Sequence, residues 1–87
     1  MAVVLLRSSL TNLFPGLERR IEVNAATVLA AINEIESQRP GFRARVCDST
    51  PAIRRHIRVF VDAELATLST ELGANSQLEI IPAISGG

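Results

Sequence analysis

The last apolar stretch of the chain decides the predicted fold, and it reads Gln77-Leu78-Glu79-Ile80-Ile81-Pro82-Ala83-Ile84-Ser85-Gly86-Gly87. Leu78 and Ile80 stand two residues apart, which is the period of a β-strand that buries one face. Proline lacks the backbone N–H that a sheet ladder needs, so we expect the strand to cover residues 77–81 and to end at Pro82. A short tail of six residues, 82–87, follows the strand.

The beginning of the chain predicts the strands that neighbour this one. Residues 2–7 start with an unbroken apolar run, Ala2-Val3-Val4-Leu5-Leu6, which predicts a strand buried on both faces in the middle of a sheet. Residues 18–23 alternate, with Ile21 and Val23 inward, and complete a hairpin with it. In the connection, Pro15-Gly16 has the residue types that the central positions of a type II turn require.

A single main helix is predicted over residues 28–38. Thr27 is a suitable N-cap, because its hydroxyl can accept from the free N–H groups of the first turn. Apolar residues then recur on one face at Val28, Ile32 and Ile35. Pro40-Gly41 ends the helix, since proline restricts the residue before it and removes a donor.

The second half of the chain predicts an irregular crossover followed by more strands. Residues 42–53 contain several turn formers, and we expect them to be held down by Phe42 and Val46. Residues 57–61 alternate as a strand, Asp62-Ala63 forms a turn, and a weak strand surrounds Leu65. A second turn covers residues 73–76.

The element order is therefore a hairpin, a helix, and two or three further strands. One helix must cover one face of one mixed sheet, which predicts a two-layer α+β domain of the β-grasp (ubiquitin-like) type. We expect four to five strands, with the first and last side by side at the centre. The predicted domain covers residues 1–81, and residues 82–87 form an extended, flexible C-terminal Gly-Gly tail.

Composition excludes several classes of function. A chain of 87 residues makes one small domain, and we do not expect it to enclose an active site of its own. A net charge of +0 and 3% aromatic residues disfavour nucleic-acid binding. The single cysteine argues against disulfide scaffolds and four-cysteine zinc sites, and no apolar run reaches the roughly 20 residues of a membrane span. We therefore expect a soluble cytoplasmic protein.

Few residues are candidates for catalysis. Cys47 and His56 are the only residues of their kinds, and their spacing does not join them into a pair. A lone thiol is more often packed than nucleophilic, and His56 is more often a solvated strand end than a general base. The acidic residues lack metal-ligand spacing, and the glycines do not form a phosphate loop. We predict no catalytic residue and no metal site in this chain.

The tail carries the chemistry that the domain lacks. Two glycines have no Cβ, so the last peptide can enter a slot too narrow for other residues, and such a slot implies a partner. The group presented there is the α-carboxylate of Gly87. A carboxylate is a poor acyl donor, but its attack on the α-phosphorus of ATP gives an acyl-adenylate, from which AMP departs readily. A partner enzyme would supply the ATP, the magnesium and the oxyanion stabilisation.

The residues of the C-terminal half resemble a known family. Residues 58–62 and 72–87, together with Ala25-Ala26-Thr27-Val28 and Pro40-Gly41-Phe42, are similar to the MoaD/ThiS ubiquitin-like sulfur carriers. They look closest to the branch that delivers sulfur for cysteine biosynthesis, alongside the small subunit of molybdopterin synthase. Two turns depart from the family pattern: Asp62-Ala63 replaces Asn-Gly, and Ala74-Asn75-Ser76 replaces Asp-Gly-Asp.

The resemblance implies a role for each residue of the tail. Gly87 would be adenylated by a ubiquitin-activating-type enzyme and converted to a thiocarboxylate, while Gly86, Ser85 and Ile84 thread the tail into the partner. The carrier itself would bind no cofactor, since ATP and Mg belong to the activating partner. The sulfur would go to a cysteine-synthase-like enzyme or to the large subunit of molybdopterin synthase.

The strand parity also predicts a docking patch. If Val59 and Ile80 face the helix, Phe60 and Ile81 lie on the opposite face, and Arg58 frames them. Scattered surface hydrophobes covered by loops are an equally good interpretation. The group Arg54, Arg55 and Arg58 is either a solvated strand end or a region that steers an acidic partner.

Two other functions stay open at this point. A ubiquitin-like modifier, joined through Gly87 to lysines of target proteins, needs the same tail and the same activation as a sulfur carrier. A plain interaction module would use the sheet and leave the tail idle. The sequence does not decide which biosynthetic pathway receives the sulfur.

Overall fold

The structure, a computed structural model, describes residues 1–12 and 14–82, without the side chains of residues 8 and 9. Eight elements follow one another in these residues: β1 (Ala2–Leu6), α1 (Ser8–Thr11), β2 (Arg20–Val23), α2 (Val28–Gln38), α3 (Phe42–Val46), β3 (Ile57–Val61), β4 (Glu64–Leu65) and β5 (Gln77–Pro82). None of these helices is long and apolar enough to cross a membrane.

Five strands form one mixed sheet in the order β2-β1-β5-β3-β4. β1 and β5 are parallel, with Val4 opposite Leu78, and the other neighbouring pairs are antiparallel. The first and last strands therefore lie side by side inside the sheet, as predicted. The β-grasp arrangement and the upper limit of the predicted strand number are confirmed.

Helix α2 packs its apolar face into the core. The Thr27 hydroxyl accepts a hydrogen bond from the N–H of Ala30 at 3.1 Å, which confirms the predicted N-cap. The helix ends at Gln38, and its buried residues are Val28, Ala31, Ile32 and Ile35. Facing them, Val4, Val59, Leu78 and Ile80 are also almost fully buried. One sheet face and one helix face therefore make the hydrophobic core.

The predicted type II turn at Pro15-Gly16 is consistent with the backbone. The N–H of Leu17 donates to the carbonyl of Phe14 at 2.9 Å, and Gly16 has a φ of 88°. Positive φ at the third position of this turn favours glycine, because a Cβ would be strained there.

Part of the predicted crossover is helical, so the irregular assignment of residues 42–46 was wrong. Phe42 and Val46, one helical turn apart, are both fully buried, as predicted for the two anchors. The Glu36 carboxylate accepts from the N–H groups of Gly41 at 3.0 Å and Arg43 at 2.7 Å. A carboxylate of the previous helix thus accepts from N–H groups at the start of α3 that have no partner within the helix. A local sequence pattern does not show this interaction, because Glu36 lies outside the segment that forms α3.

The bonds to Glu36 make a pH-dependent contribution to stability. They lower the pKa of the carboxyl below its ordinary 4.5, because both N–H groups favour the charged form. Since the folded value is the lower one, the stabilisation is present above pH 4.5 and is lost as the pH falls through the lowered folded pKa.

We expect Glu36→Gln to destabilise the domain near neutral pH and to weaken the loss of stability on acidification. Urea unfolding at a series of pH values measures both effects. Glu64→Gln, which changes an exposed carboxylate on β4, is the matched control. Parallel pH dependence of wild type and Glu36→Gln would contradict the assignment.

Burial of β1 on both faces was a wrong prediction. Ala2, Val4 and Leu6 are buried, whereas Val3 and Leu5 are half-buried on the other side of the sheet. The apolar run hides this alternation because all five side chains are hydrophobic.

The bounds of other elements differ slightly from the prediction. β2 begins at Arg20, α1 occupies part of the first connection, and β5 includes Pro82, which lies opposite Ile57.

The turn between β3 and β4 keeps its shape without glycine. Asp62 and Ala63 have φ values of 51° and 72°, and positive φ at both central residues is the pattern of a type I′ hairpin turn. The Asp62 carboxylate accepts from the N–H of Gln77 at 2.9 Å, which secures the first position. Ala63 bears the strain of a Cβ in the left-handed region.

We expect Ala63→Gly to stabilise the domain by about 0.5–1 kcal/mol, since the relief of backbone strain exceeds the extra entropy of glycine in the unfolded chain. Urea unfolding measures the change. Ala74→Gly is the control, because Ala74 lies in a turn without positive φ and should lose stability instead. A destabilised Ala63→Gly would contradict the prediction.

Candidate functional site

The face of the sheet turned away from α2, here called the outer face, presents a row of side chains across all five strands. Each residue of the row lies opposite the next in the pairing register: Arg20, Leu5, Glu79, Phe60 and Leu65. Side chains at directly opposed positions contact one another on the sheet surface. The row therefore combines apolar and charged groups on one continuous surface.

The three predicted docking residues lie together on this face. Arg58 lies opposite Ile81, and Phe60 lies opposite Glu79, so Phe60 and Ile81 are diagonal neighbours. Phe60 and Ile81 are half-buried, and Arg58 is exposed. The Arg58 guanidinium donates to the carbonyl of Arg55 at 2.8 Å, which holds it at the start of β3.

The parity argument missed the apolar residues that enlarge this patch. Leu65, on edge strand β4, is 69% exposed and lies beside Phe60. Val3 and Leu5 belong to the same face, and the prediction of two-sided burial concealed them. The predicted number of helices could have revealed these residues. One helix covers only one face of a sheet, so every second residue of β1 has to lie on the face without a helix.

One ion pair crosses the outer face. Arg7 pairs with Glu79 at 2.5 Å, with side-chain exposures of 58% and 32%. An exposed pair of this kind contributes at most about 1 kcal/mol to stability. The pair also affects its surroundings on the sheet. Arg7 compensates the charge of the Glu79 carboxylate, which lies between Leu5 and Phe60.

The C-terminal tail begins at one end of the sheet. β5 ends at Pro82, beside the end of β1 and the start of β3. The outer-face residue Ile81 directly precedes Pro82, so the predicted docking residues border the last described residue of β5. The predicted site residues Ile84, Ser85, Gly86 and Gly87 lie outside the described residues, as does Ala83.

The candidate catalytic side chains lie apart from this surface. Cys47, the C-cap residue of α3, is buried, and burial raises the pKa of its thiol above the usual 9.0. A protonated, enclosed thiol is a poor nucleophile. His56 is exposed just before β3. In residues 1–12 and 14–82, no group of three or more His, Cys, Asp or Glu side chains could hold a metal ion.

Comparison with protein families identifies the chain. The model of the ThiS family matches residues 12–87, which includes the helix, the whole second half and the tail. The chain belongs to the ThiS family. It is accordingly a ubiquitin-like sulfur carrier of ThiS/MoaD type, with the β-grasp fold that such carriers share.

Solved structures agree with this assignment. A chain in the crystal structure of the Amycolatopsis orientalis BexX/CysO complex is 31% identical, with a TM-score of 0.89 and coverage of 100% of both chains. SAMP1 from Haloferax volcanii is 27% identical, with a TM-score of 0.78 and coverage of 99% of this chain and 98% of that one. CysO from Mycobacterium tuberculosis, at 20% identity, has a TM-score of 0.84 over 97% and 100%.

A comparison with curated protein sequences gave no match. The structural relatives nevertheless place the chain in a defined functional class. Small proteins of the ThiS and CysO type are carriers or modifiers and are not catalytic themselves. The departures at Asp62-Ala63 and residues 74–76 leave the fold intact, since both turns connect the expected strands.

Proposed function

We propose that this protein carries sulfur as a thiocarboxylate on Gly87 and donates it in a biosynthetic pathway. The observation that supports this most strongly is the ThiS family match, which extends through residue 87. The geometry supports it as well, because the central strand β5 runs to Pro82 and its last residues lie beside the apolar side chains of the outer face. The folded domain holds the tail, and a partner activates it.

The proposed activation proceeds in two steps. An oxygen of the Gly87 carboxylate attacks the α-phosphorus of ATP, a P–O bond forms, and pyrophosphate leaves. Hydrosulfide, or a sulfur donor equivalent to it, then attacks the acyl carbon, the C–O bond to AMP breaks, and a thiocarboxylate remains. An activating enzyme of the ubiquitin-activating type would provide ATP, Mg and stabilisation of the charges that develop. This chain would bind no cofactor.

The acceptor would be a small electrophilic molecule held by a second partner enzyme. The resemblance favours the carrier branch of cysteine biosynthesis, with a cysteine-synthase-like partner. The 31% identical chain is part of a complex between CysO and BexX, which supports a partner enzyme of some kind here as well. Molybdopterin, with the molybdopterin synthase large subunit as acceptor enzyme, or a related thio-metabolite would use the same tail chemistry.

Intact-mass spectrometry tests the proposal. The full chain is incubated with ATP, Mg, a sulfide source and each activating enzyme of the ubiquitin-activating type encoded in the same genome. The expected product has one oxygen of the chain replaced by sulfur. A chain whose mass stays unchanged with every such enzyme would contradict the proposal.

We also propose that Phe60, Ile81, Arg58 and Leu65 form the docking face for the activating enzyme. Only a minority of interface residues cost more than about 1 kcal/mol when truncated, and we expect Leu65, the most exposed apolar side chain of this face, to be one of them. Leu65→Ala should then lower kcat/KM for thiocarboxylate formation by about five- to tenfold. Leu65 is mostly exposed, so the fold should tolerate the change. Leu29→Ala, which truncates a half-buried leucine on α2, is the matched control. An equal effect of both variants would contradict this docking face.

A protein modifier is the second candidate, and one comparison favours it. SAMP1 of Haloferax volcanii, described as a small archaeal modifier protein, is 27% identical to this chain. In that function, lysine amines of target proteins would attack the activated Gly87 in place of sulfide. Immunoblots of lysate from cells that express the tagged chain distinguish the two: a ladder of adducts that depends on Gly87 indicates a modifier.

A further inference from the structure

A groove of about 770 Å³ lies along the free edge of β3. β3 pairs with β5 over its whole length, but its other neighbour, β4, pairs only at Phe60 and Val61. The N–H of Ala66 donates to the carbonyl of Val59 at 2.8 Å, and the chain then leaves the sheet. The start of β3 therefore has no strand beside it on this side in the described structure.

The two walls of the groove come from separate segments. Residues 51–55, which connect α3 to β3, form one wall, and residues 65–69 form the other. Both walls are tied to the domain: Arg54 N–H donates to the carbonyl of Val46 at 2.8 Å, and Leu29 N–H donates to that of Leu68 at 2.9 Å. The groove is thus formed by anchored backbone on both sides.

The lining combines apolar surface with three arginines. Ile53 and Leu68 are half-buried, and Leu65 is largely exposed. Arg54, Arg55 and Arg58 also line the groove, and no acidic residue does. In the part of the chain that the structure describes, no carboxylate lies within 4.0 Å of these three guanidinium groups. The ion pair found there joins two other residues, Arg7 and Glu79.

Two of the guanidinium groups are oriented by the backbone. Arg54 donates from Nε to the carbonyl of Ala44 at 2.7 Å, and Arg58 donates to the carbonyl of Arg55 at 2.8 Å. The acid whose charge interacts with Arg54 is Asp48, whose carboxylate accepts from the N–H groups of Thr50 and Ala52, both at 2.9 Å. Hydrogen bonds from Thr50 and Ala52 and, to a smaller extent, the charge of Arg54 lower the pKa of this carboxyl. Arg54 and Arg58 are thus held by backbone carbonyls, and none of the three arginines forms an ion pair with a carboxylate of residues 1–12 or 14–82. Their other N–H donors can bind an external anion.

We propose that this groove binds an extended acidic segment of a partner protein. Carboxylates of that segment would pair with Arg54, Arg55 and Arg58, and its apolar side chains would cover the exposed surface of Leu65 and Leu68. Charge complementarity selects an acidic occupant, and the apolar walls favour a peptide over a simple anion. The inference goes beyond the tail chemistry and does not require it.

NMR titration of the full isotope-labelled chain tests the groove directly. The probe is a capped peptide of the sequence Glu-Glu-Leu-Glu-Leu-Glu-Glu. We expect saturable shifts of the amides of residues 53–58 and 65–69. A peptide with serine in place of leucine, and one with glutamine in place of glutamate, should each bind at least about threefold more weakly.

A charge-matched pair of variants locates the interaction. Arg55 and Arg45 are both exposed, but only Arg55 lines the groove. Arg55→Glu is expected to weaken peptide binding about tenfold, whereas Arg45→Glu, with the same change in net charge, should leave the affinity within about twofold of wild type.

Several results would overturn the proposal. The first two are equal effects of Arg55→Glu and Arg45→Glu, and equal affinity for the serine peptide. The others are shifts confined to strands β1, β2 and β5, which do not line the groove, and no saturable binding below about 1 mM. Binding seen only after removal of residues 83–87 would identify the chain's own tail as the occupant, and equal competition by oligonucleotide would indicate a non-specific polyanion site. Thiocarboxylate formation is a separate measurement, so failure of the groove leaves the proposed function untouched.

Discussion

Adding one alanine after Gly87 is expected to reduce thiocarboxylate formation by about 10²-fold or more, because a misplacement of even 1 Å at a reacting group can cost that much. The extra residue moves the carboxylate by up to about 3.5 Å and places a Cβ in a slot proposed to admit only glycine. The domain should keep its stability, since the change lies beyond β5. The measurement is the initial rate of the mass change produced by the activating enzyme.

Two controls make this result specific. Insertion of the same alanine after Met1, at the start of the chain, should leave the rate unchanged. Urea unfolding of the extended chain should match that of wild type. An extended chain that is thiolated at the wild-type rate would contradict a role for the Gly87 carboxylate.

Phe42→Ala is expected to have the largest effect on folding. Phe42 is fully buried, and its ring lies 5.8 Å from that of Phe14 at an interplanar angle of 58°. Truncating a buried phenylalanine typically costs about 3–5 kcal/mol through lost burial and the cavity left behind. A domain of this size has a stability of about 4–13 kcal/mol, so the variant should lose a large part of it.

The expected Tm decrease for Phe42→Ala is more than about 12 °C, measured by circular dichroism. Phe14→Ala is the matched control, because Phe14 supplies the other ring but is only half-buried, and its loss should be clearly smaller. Equal effects of the two substitutions would show that the ring contact, and not the enclosed site of Phe42, accounts for the stability.

The helix and the inner face of the sheet were predictable because their signals are local. Thr27 supplies a hydroxyl next to a helical run, Val28, Ile32 and Ile35 repeat with helical spacing, and Leu78 and Ile80 repeat with strand spacing. Positive φ at Gly16 follows from a Pro-Gly pair by residue type alone. In each case, the physical cause lies within a few residues of its effect.

The docking patch was predicted only in part, because apolar composition does not reveal which face is covered. Phe60 and Ile81 followed from parity in strands with polar neighbours, but Val3 and Leu5 stand in a run without any. Helix α3 was missed for a related reason. Its start is satisfied by the carboxylate of Glu36, which a local pattern does not connect to Gly41 and Arg43.

The sequence by itself determined the order of the strands and of the main helix α2, the apolar faces of α2 and β5, and the Gly-Gly motif, since each depends on residue types at short range. Only the tertiary structure decided the rest. It paired β1 with β5, left one sheet face open for Leu65 and Phe60, and brought residues 51–55 and 65–69 together around three arginines. These features depend on contacts between residues distant in the chain, which form only when the whole core is buried together.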